Sequence, residues 1–342
     1  MDVFRSPSEG LPEEAAAPEE IARFVVGAAV QAPSVHNTQP WWFDHDEHQI
    51  SIHADSARQL RVADPLGREL MISCGAALLN VRVALRKMGW VPKVRVLPEP
   101  ARPDLVARVA WGERVPPAEY ERQLFAEIPR RRTHRGAFDP VPLPATLLAD
   151  MPREAARERT MLALLAANED RQRAAAVAAA VQAGDCALRL NSARVREEAG
   201  WAPGPGDTRQ DGVPPTAYPA QPERTEPDFP GREFAHGQGW GLPSRADEPS
   251  ARSAGVVGLL TTSVDHPADW VQAGQALQRV PLLASSYKVA AALHTQPLEL
   301  PLLRDFMRIH LCGRAYPQMV LRFGATSETA VSVRRPAGEI LL

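Results

Sequence analysis

Between Ala202 and Pro249 the chain packs ten prolines and seven glycines into 48 residues. Proline lacks an amide hydrogen and fixes φ, and glycine loses the most freedom on ordering, so no regular helix or strand runs through such a stretch. Regular structure must lie on either side of it, and a core must be assembled from two separated lengths of chain. A loop this long inside a compact protein is a lid, a binding loop or disorder. The whole chain has 33 prolines in 342 residues, about twice the usual share. At roughly 100–200 residues per domain, that length favours two domains.

Composition narrows the function classes. The chain is 44% hydrophobic and 23% charged, ordinary for a soluble globular protein, with a formal charge of -2. It is therefore neither a globally basic nucleic-acid binder nor a polybasic membrane-surface protein. The 39 basic residues comprise 36 arginines and only Lys87, Lys93 and Lys288. Any anion site must be built from arginine, helix ends or backbone amides. Cys74, Cys186 and Cys312 are too widely spaced for a zinc site or disulfide framework, which fits a reducing cytosol. Residues 1–17 read as a flexible acidic leader without the apolar stretch of a signal peptide, and no apolar run reaches membrane-spanning length. The expectation is a soluble cytoplasmic protein.

Hydrophobic periodicity places the elements. A helix from Pro18 stops at Pro33. Trp41–Phe43 and Ile50–Ala54 read as a hairpin, Arg68–Met88 as a long helix closed by Gly89, and Val94–Leu97 and Leu105–Trp111 as strands. Helices follow near Pro117–Ile128, 144–157 and 168–198. Beyond the Pro/Gly segment, Gly255–Thr262 reads as a strand, Trp270–Ala292 as a second long helix and Gln318–Gly324 as a strand. The two long helices share G-x-A-L-x-x-V, at Gly75–Val81 and Gly274–Val280. Each is followed by a strand with a glycine at its end, Gly112 or Gly324. The match is suggestive of two related halves.

Two motifs carry chemistry. Ala32-Pro33-Ser34-Val35-His36-Asn37-Thr38-Gln39-Pro40-Trp41 fixes the backbone with prolines and offers two amides that donate and accept, suited to a flat heteroaromatic edge. It reads equally as an ordinary helix stop and turn. Arg130-Arg131-Arg132-Thr133-His134-Arg135 sets four guanidiniums in six residues, suited to binding phosphate bidentately or, otherwise, a solvated charge run. Arg334-Arg335-Pro336 is a second basic element with the same two readings.

The string Ala32–Trp41, followed later by Arg131–Arg135, resembles the FMN-dependent nitroreductase family. That family carries R-R-S-x-R at the flavin phosphate and A-P-S-x-x-N-x-Q-P-W against the ring. In ordinary members the arginine motif comes first, and each site draws the two motifs from different subunits of a homodimer. Here the order is reversed, with one motif in each half. The chain is similar to the Acg-like branch of single-chain pseudo-dimers, over about residues 20–340. The resemblance implies an α+β fold of two pseudo-symmetric halves, mostly antiparallel sheets flanked by helices, at 18–115 and 116–342. The second half carries the 202–249 segment. It further implies that Arg131, Arg132, Thr133 and Arg135 hold the FMN phosphate, with Arg334 and Arg335 returning to it. Pro33, Ser34 and Asn37 would lie against the ring, and Gln296 and Pro297 in a loop whose backbone amide faces flavin N5.

The activity that the resemblance implies is NAD(P)H-dependent reduction of nitroaromatics or quinones by a ping-pong flavin mechanism. The flavin would carry the chemistry, with no protein acid or base and no metal. The partner is a small-molecule electron acceptor, and the chain would be a monomeric pseudo-dimer. A rival is a non-catalytic protein that sequesters FMN beneath 202–249. A third is a phosphate- or nucleotide-binding module without flavin. Trp201, Tyr218, Phe229, Phe234 and Trp240 read either as lid aromatics or as surface anchors. His45, His48 and His53 fall on a hairpin without ligand spacing. Ser285–Lys288 lacks the companion motifs of a penicillin-recognising serine site, and Gly237–Gly241 does not match a dinucleotide fingerprint.

Overall fold

The computed structural model describes residues 17–166, 170–204, 206–218, 224–232, 234, 252–328 and 331–342. The leader up to residue 16, Gly237–Gly241 and Trp240 lie outside these residues.

Helix α1 (Pro18–Ala29) opens with Pro at its first position and buries Ile21, Val25 and Val26. The hairpin β1 (Trp41–His45) and β2 (Gln49–Ala54) follows, then α2 (Arg68–Lys87), which ends at Gly89 with φ +87°. Strands β3 (Trp90–Val96) and β4 (Leu105–Arg114) complete an antiparallel sheet ordered β1-β2-β4-β3. Helix α1 and the buried α2 share a core with this sheet.

Helix α3 (Glu119–Glu127) leads to α4 (Ala145–Ala156), β5 (Met161–Leu165), α5 (Arg171–Arg189) and α6 (Ser192–Gly200). A two-stranded parallel pair, β6 (Thr225–Glu226) and β7 (Arg252–Ser253), precedes β8 (Val256–Thr262). Then come α7 (Pro267–Ser286), β9 (Val289–His294), α8 (Pro301–His310) and β10 (Tyr316–Ala325). The second antiparallel sheet is ordered β5-β8-β10-β9. Helices α4 and α7 pack in one core with this sheet, and α5 and α8 in another. In both sheets the strands stand in the order first, second, fourth, third along the chain, and each long helix joins the second strand to the third.

Helices α2 and α7 pack against each other through the shared glycines. A Cβ at Gly75 would lie 2.2 Å from the Val271 carbonyl oxygen, and one at Gly274 would lie 2.0 Å from that of Ile72. Ile72 and Val271 each stand three residues before the glycine of their own helix. The contact is thus reciprocal, as across a two-fold axis. Buried Gln278 donates to Asn80 Oδ1 at 2.9 Å between the same helices. The C-terminal tail returns to the first sheet, where Phe43 N donates to Ile340 O at 2.7 Å and Leu342 N to Phe43 O at 2.8 Å.

Three local expectations are corrected. The helix expected over Trp270–Ala292 ends at Ser286; Lys288 takes φ +59° and Val289–His294 is β9. Its alanines favour helix locally, but pairing with β10 (Ala291 with Phe323, Leu293 with Leu321) overrides that preference. The helix expected over 168–198 breaks at Asn191, whose side chain accepts from the amides of Ala193 and Arg194 and starts α6. Strand β5 and helix α8 are additions that periodicity does not mark.

Candidate functional site

The connection from α1 to β1 is strained. His36, Asn37 and Gln39 have φ of +46°, +54° and +49°, a region that non-glycine residues rarely adopt and that costs about 1–3 kcal/mol each. The surroundings hold it in place. Val35 N donates to Ser73 Oγ at 3.1 Å, Ser73 Oγ donates to the Glu69 carbonyl at 2.7 Å, and Gln39 N donates to Ser34 Oγ at 2.9 Å.

The arginine loop docks on the second sheet, where His134 N donates to Ala291 O at 2.8 Å. Arg131 contacts Thr133 Oγ1 at 3.5 Å and the Gln31 carbonyl at 3.4 Å; Arg334 donates to the same carbonyl at 3.4 Å and to Asn37 Oδ1 at 2.9 Å. Among the described residues no carboxylate pairs with Arg131, Arg132, Arg135 or Arg334, and Nε of Arg131 and of Arg334 has no hydrogen-bond partner. Burial, then the neighbouring guanidiniums, push Arg131 down to about 9, and the same causes pull Arg334 well down. A buried cluster of guanidiniums that no carboxylate among the described residues neutralises is suited to an anion.

Next to this cluster a cavity lies between the two sheets' elements, with about 860 Å³ of empty space when its open mouth is included. Pro33, Ser34, Val35 and His36 wall one side with Glu69, Ile72 and Ser73 of α2. Thr133, His134 and Arg135 face them with Leu277 of α7, the end of β9, Gln296, and Met319 and Arg322 of β10. His36 is buried with both ring nitrogens unpartnered, and Gln296 Nε2 is likewise unpartnered. Burial, then Arg232, drives His36 well below the ordinary histidine range, so its ring is neutral. Close approach of α5 supports the Gln296 turn, since a Cβ at Gly184 would meet Gln296 C and Pro297 N at 2.8 Å.

Part of the Pro/Gly segment covers this cavity. Tyr218, Gly231, Arg232 and Phe234 line it; the Arg135 guanidinium lies 5.6 Å from the Tyr218 ring centre, and Phe234 meets His36 edge-on at 4.7 Å. Arg232 anchors the cover, bonding Glu198 and Glu299 at 2.6 Å each, while Arg194 also pairs with Glu299. Phe229 packs in the core near His294, and Trp201 lies under Arg58, so these two are anchors.

Of the expected site residues, Pro33, Ser34, Thr133, Arg135 and Gln296 line the cavity, and Arg131 and Arg334 converge beside it. Asn37 stands behind the wall. Its amide donates to the Gly212 and Val333 carbonyls at 2.9 and 3.1 Å, tying the cover and the tail together. Arg335 faces Glu339 at 3.9 Å and bonds Gln39 through its backbone, while Arg132 donates to the Arg131 carbonyl at 2.9 Å; neither lines the cavity, and neither does Pro297.

No family model matches the chain. A protein of Mycobacterium tuberculosis provisionally named NAD(P)H nitroreductase Rv3131 is 35% identical over 306 residues, covering 89% of this chain and 85% of its own length. The chain belongs to the nitroreductase family. The relative provisionally named NAD(P)H nitroreductase acg, from the same organism, is 27% identical over 94% of this nitroreductase and 95% of its own length. Among solved structures, the FMN and NADPH-dependent nitroreductase NfnB from sphigopyxis sp. strain HMH overlaps 62% of this chain and 94% of its own, at 18% identity and a TM-score of 0.36. That overlap is too loose to bear on any residue of the site.

The site of this nitroreductase contains groups that its sequence motifs do not mark. Glu69, His294, Arg232 and Arg322 reach the cavity from a helix, two strands and the cover. Arg322 is buried in β10, donating to His294 Nε2 at 2.9 Å and to the carbonyls of Ala254 and Gly136. A lone arginine within the apolar run of β10 is the one signal that could have pointed to it. Among the described residues no helix is long and apolar enough to cross a membrane.

Proposed function

We propose that the protein is an FMN-binding oxidoreductase that uses NAD(P)H to reduce small nitroaromatic or quinone acceptors. The observation that carries this reading is the buried guanidinium cluster, without a carboxylate partner among the described residues, beside a cavity of mixed polar and apolar lining. Arg131, Arg135 and Arg334 would hold the phosphate, with the Thr133 hydroxyl beside them. Pro33, Val35, Ile72, Leu277 and Met319 offer the apolar surface that a flavin ring buries, and Gln296 Nε2 is a free donor there. When bound, FMN would supply the hydride chemistry, while the chain binds, orients and excludes water. Because one cavity must receive donor and acceptor in turn, ping-pong kinetics are expected.

The fused-halves reading belongs with this proposal. A second cleft is lined by the α4–β5 connection (Arg157–Arg159), by α7 and α2, and by β3. These correspond to the α1–β1 connection, α2, α7 and β9 of the cavity. There, however, Arg82 pairs with Glu158, Arg86 with Glu121, Arg157 with Glu154, and Arg279 with Glu154 and Glu158. Those guanidiniums are neutralised from within, which supports one flavin site per chain.

A second reading, storage of FMN without turnover, is favoured by the cover that Arg232 locks to Glu198 and Glu299. Anaerobic mixing of FMN-loaded protein with NADH or NADPH separates the two. Rapid bleaching of the flavin band is expected for the enzyme. Bleaching only after the 202–249 segment is shortened would favour storage, and protein that takes up no FMN would remove both readings.

A further inference from the structure

One carboxyl group in the cavity has no part in holding a phosphate or a ring. Glu69 sits in the first turn of α2, lines the cavity and is 3% exposed. Its Oε1 accepts from Arg68 Nη2 at 2.8 Å, whereas its Oε2 has no hydrogen-bond partner. An ionised carboxylate in that position leaves a charged oxygen buried and unsatisfied; a carboxylic acid instead has a hydroxyl to offer.

The groups around it decide which form is held. Arg68 and Asp64 face Glu69 from its own helix and the preceding turn, Glu299 from the turn after β9, and Arg232 from the cover. Glu299 is gripped by Arg232 and Arg194, which hold it ionised far below the usual carboxylate range despite complete burial. Two nearby carboxyls in a water-poor region do not both ionise cheaply. Glu299, with two guanidiniums, keeps the charge, and Glu69 keeps the proton. Burial first, then the charge of Glu299, raises Glu69 to about 8 against the opposing pull of Arg68.

We propose that Glu69 is a neutral carboxylic acid in the resting protein and that its free oxygen donates a hydrogen bond to the occupant of the cavity, which makes ligand binding there proton-linked. The occupant it suits presents a carbonyl or imine acceptor, as the edge of a flavin ring does. With FMN as that occupant, the inference rests on the cofactor reading above.

The test uses the full-length chain free of flavin, and FMN as the probe. Infrared difference spectra are expected to show a protonated carboxyl band that titrates near pH 8 and is missing from E69Q. FMN affinity, followed by flavin fluorescence, is expected to weaken on the order of tenfold between pH 7 and pH 9 in the wild type. In E69Q, whose amide donates at every pH, the part of that dependence centred near pH 8 is expected to be lost, leaving only the roughly twofold weakening that Arg131 brings by pH 9. Absence of the band from the wild type overturns the proposal, and so does a loss of affinity between pH 7 and pH 9 as large in E69Q as in the wild type. Protein that binds no FMN at any pH would sink the cofactor reading instead, and the infrared titration would still decide the protonation of Glu69.

Discussion

Arg131 and Arg334 both lean on the Gln31 carbonyl, two positive charges sharing one neutral acceptor. An arriving phosphate would satisfy both, and charge-assisted hydrogen bonds are worth about 1.5–3 kcal/mol each. Arg131→Ala and Arg135→Ala are therefore expected to weaken FMN binding by about 10–100-fold in a fluorescence titration. Arg132→Ala should cost less, because its guanidinium donates to the Arg131 carbonyl outside the cavity wall. Arg61→Ala, on an exposed side chain that reaches only the Ser56 carbonyl, should change little; equal effects at 61 and 131 would remove the phosphate assignment. Two buried histidines set a pH limit. Burial lowers His36 and His294 well below the ordinary value of 6.5, so below about pH 6.5 the unfolded chain binds protons that the folded chain refuses. Stability should fall as pH drops below that value, by up to ~1.4 kcal/mol per pH unit for each histidine. Urea unfolding at pH 7, 6 and 5 checks this, and His36→Asn should flatten the slope.

At the scale of elements, α2 and α7 touch where a side chain of even one carbon does not fit. Gly75→Ala and Gly274→Ala would each drive a Cβ into a carbonyl of the other helix, and overpacking of this kind costs about 1–3 kcal/mol. Because the contact is reciprocal, the two losses should be similar in denaturant unfolding. Gly27→Ala in α1, where nothing lies within 4 Å, should stabilise instead, by about 0.5–1 kcal/mol. Most elements are legible in the sequence because their apolar residues recur at helical or alternating spacing, as in α2 with Leu70, Cys74, Leu78, Val81 and Leu85. Strand β9 is not. Val-Ala-Ala-Ala-Leu-His follows a true helix and is locally indistinguishable from its continuation. Only its partner, about 30 residues later in the chain, makes it a strand.

For the molecule as a whole, the two sheets repeat one strand order, but their clefts differ. One adjoins Arg131, Arg135 and Arg334, which no carboxylate among the described residues neutralises, and the other holds arginines paired to Glu121, Glu154 and Glu158. FMN titration followed by fluorescence should therefore saturate at one flavin per chain; two equivalent sites would defeat the fused-halves reading. The cavity draws walls from both ends of the chain, and the tail pairs with Phe43 through Ile340 and Leu342. Removing residues 331–342 should thus weaken FMN binding and the first sheet together, because Arg334 leaves with the tail.

The sequence by itself determined the family, through two motifs in reversed order, and the long helices, through periodicity and the paired glycines. Both are local properties, carried by residues close together in the chain. Tertiary structure decided the rest of the site. Asn37, which the motif sets against the ring, also ties residue 212 to the tail, because its partners come from residues 212, 333 and 334. Glu69 looks like an ordinary first-turn acid of a helix. Burial in the folded chain first, and then Glu299, more than 200 residues later and brought near, push it well above the usual carboxylate range. Burial and electrostatic coupling depend on distance in space, and no spacing along the chain encodes them.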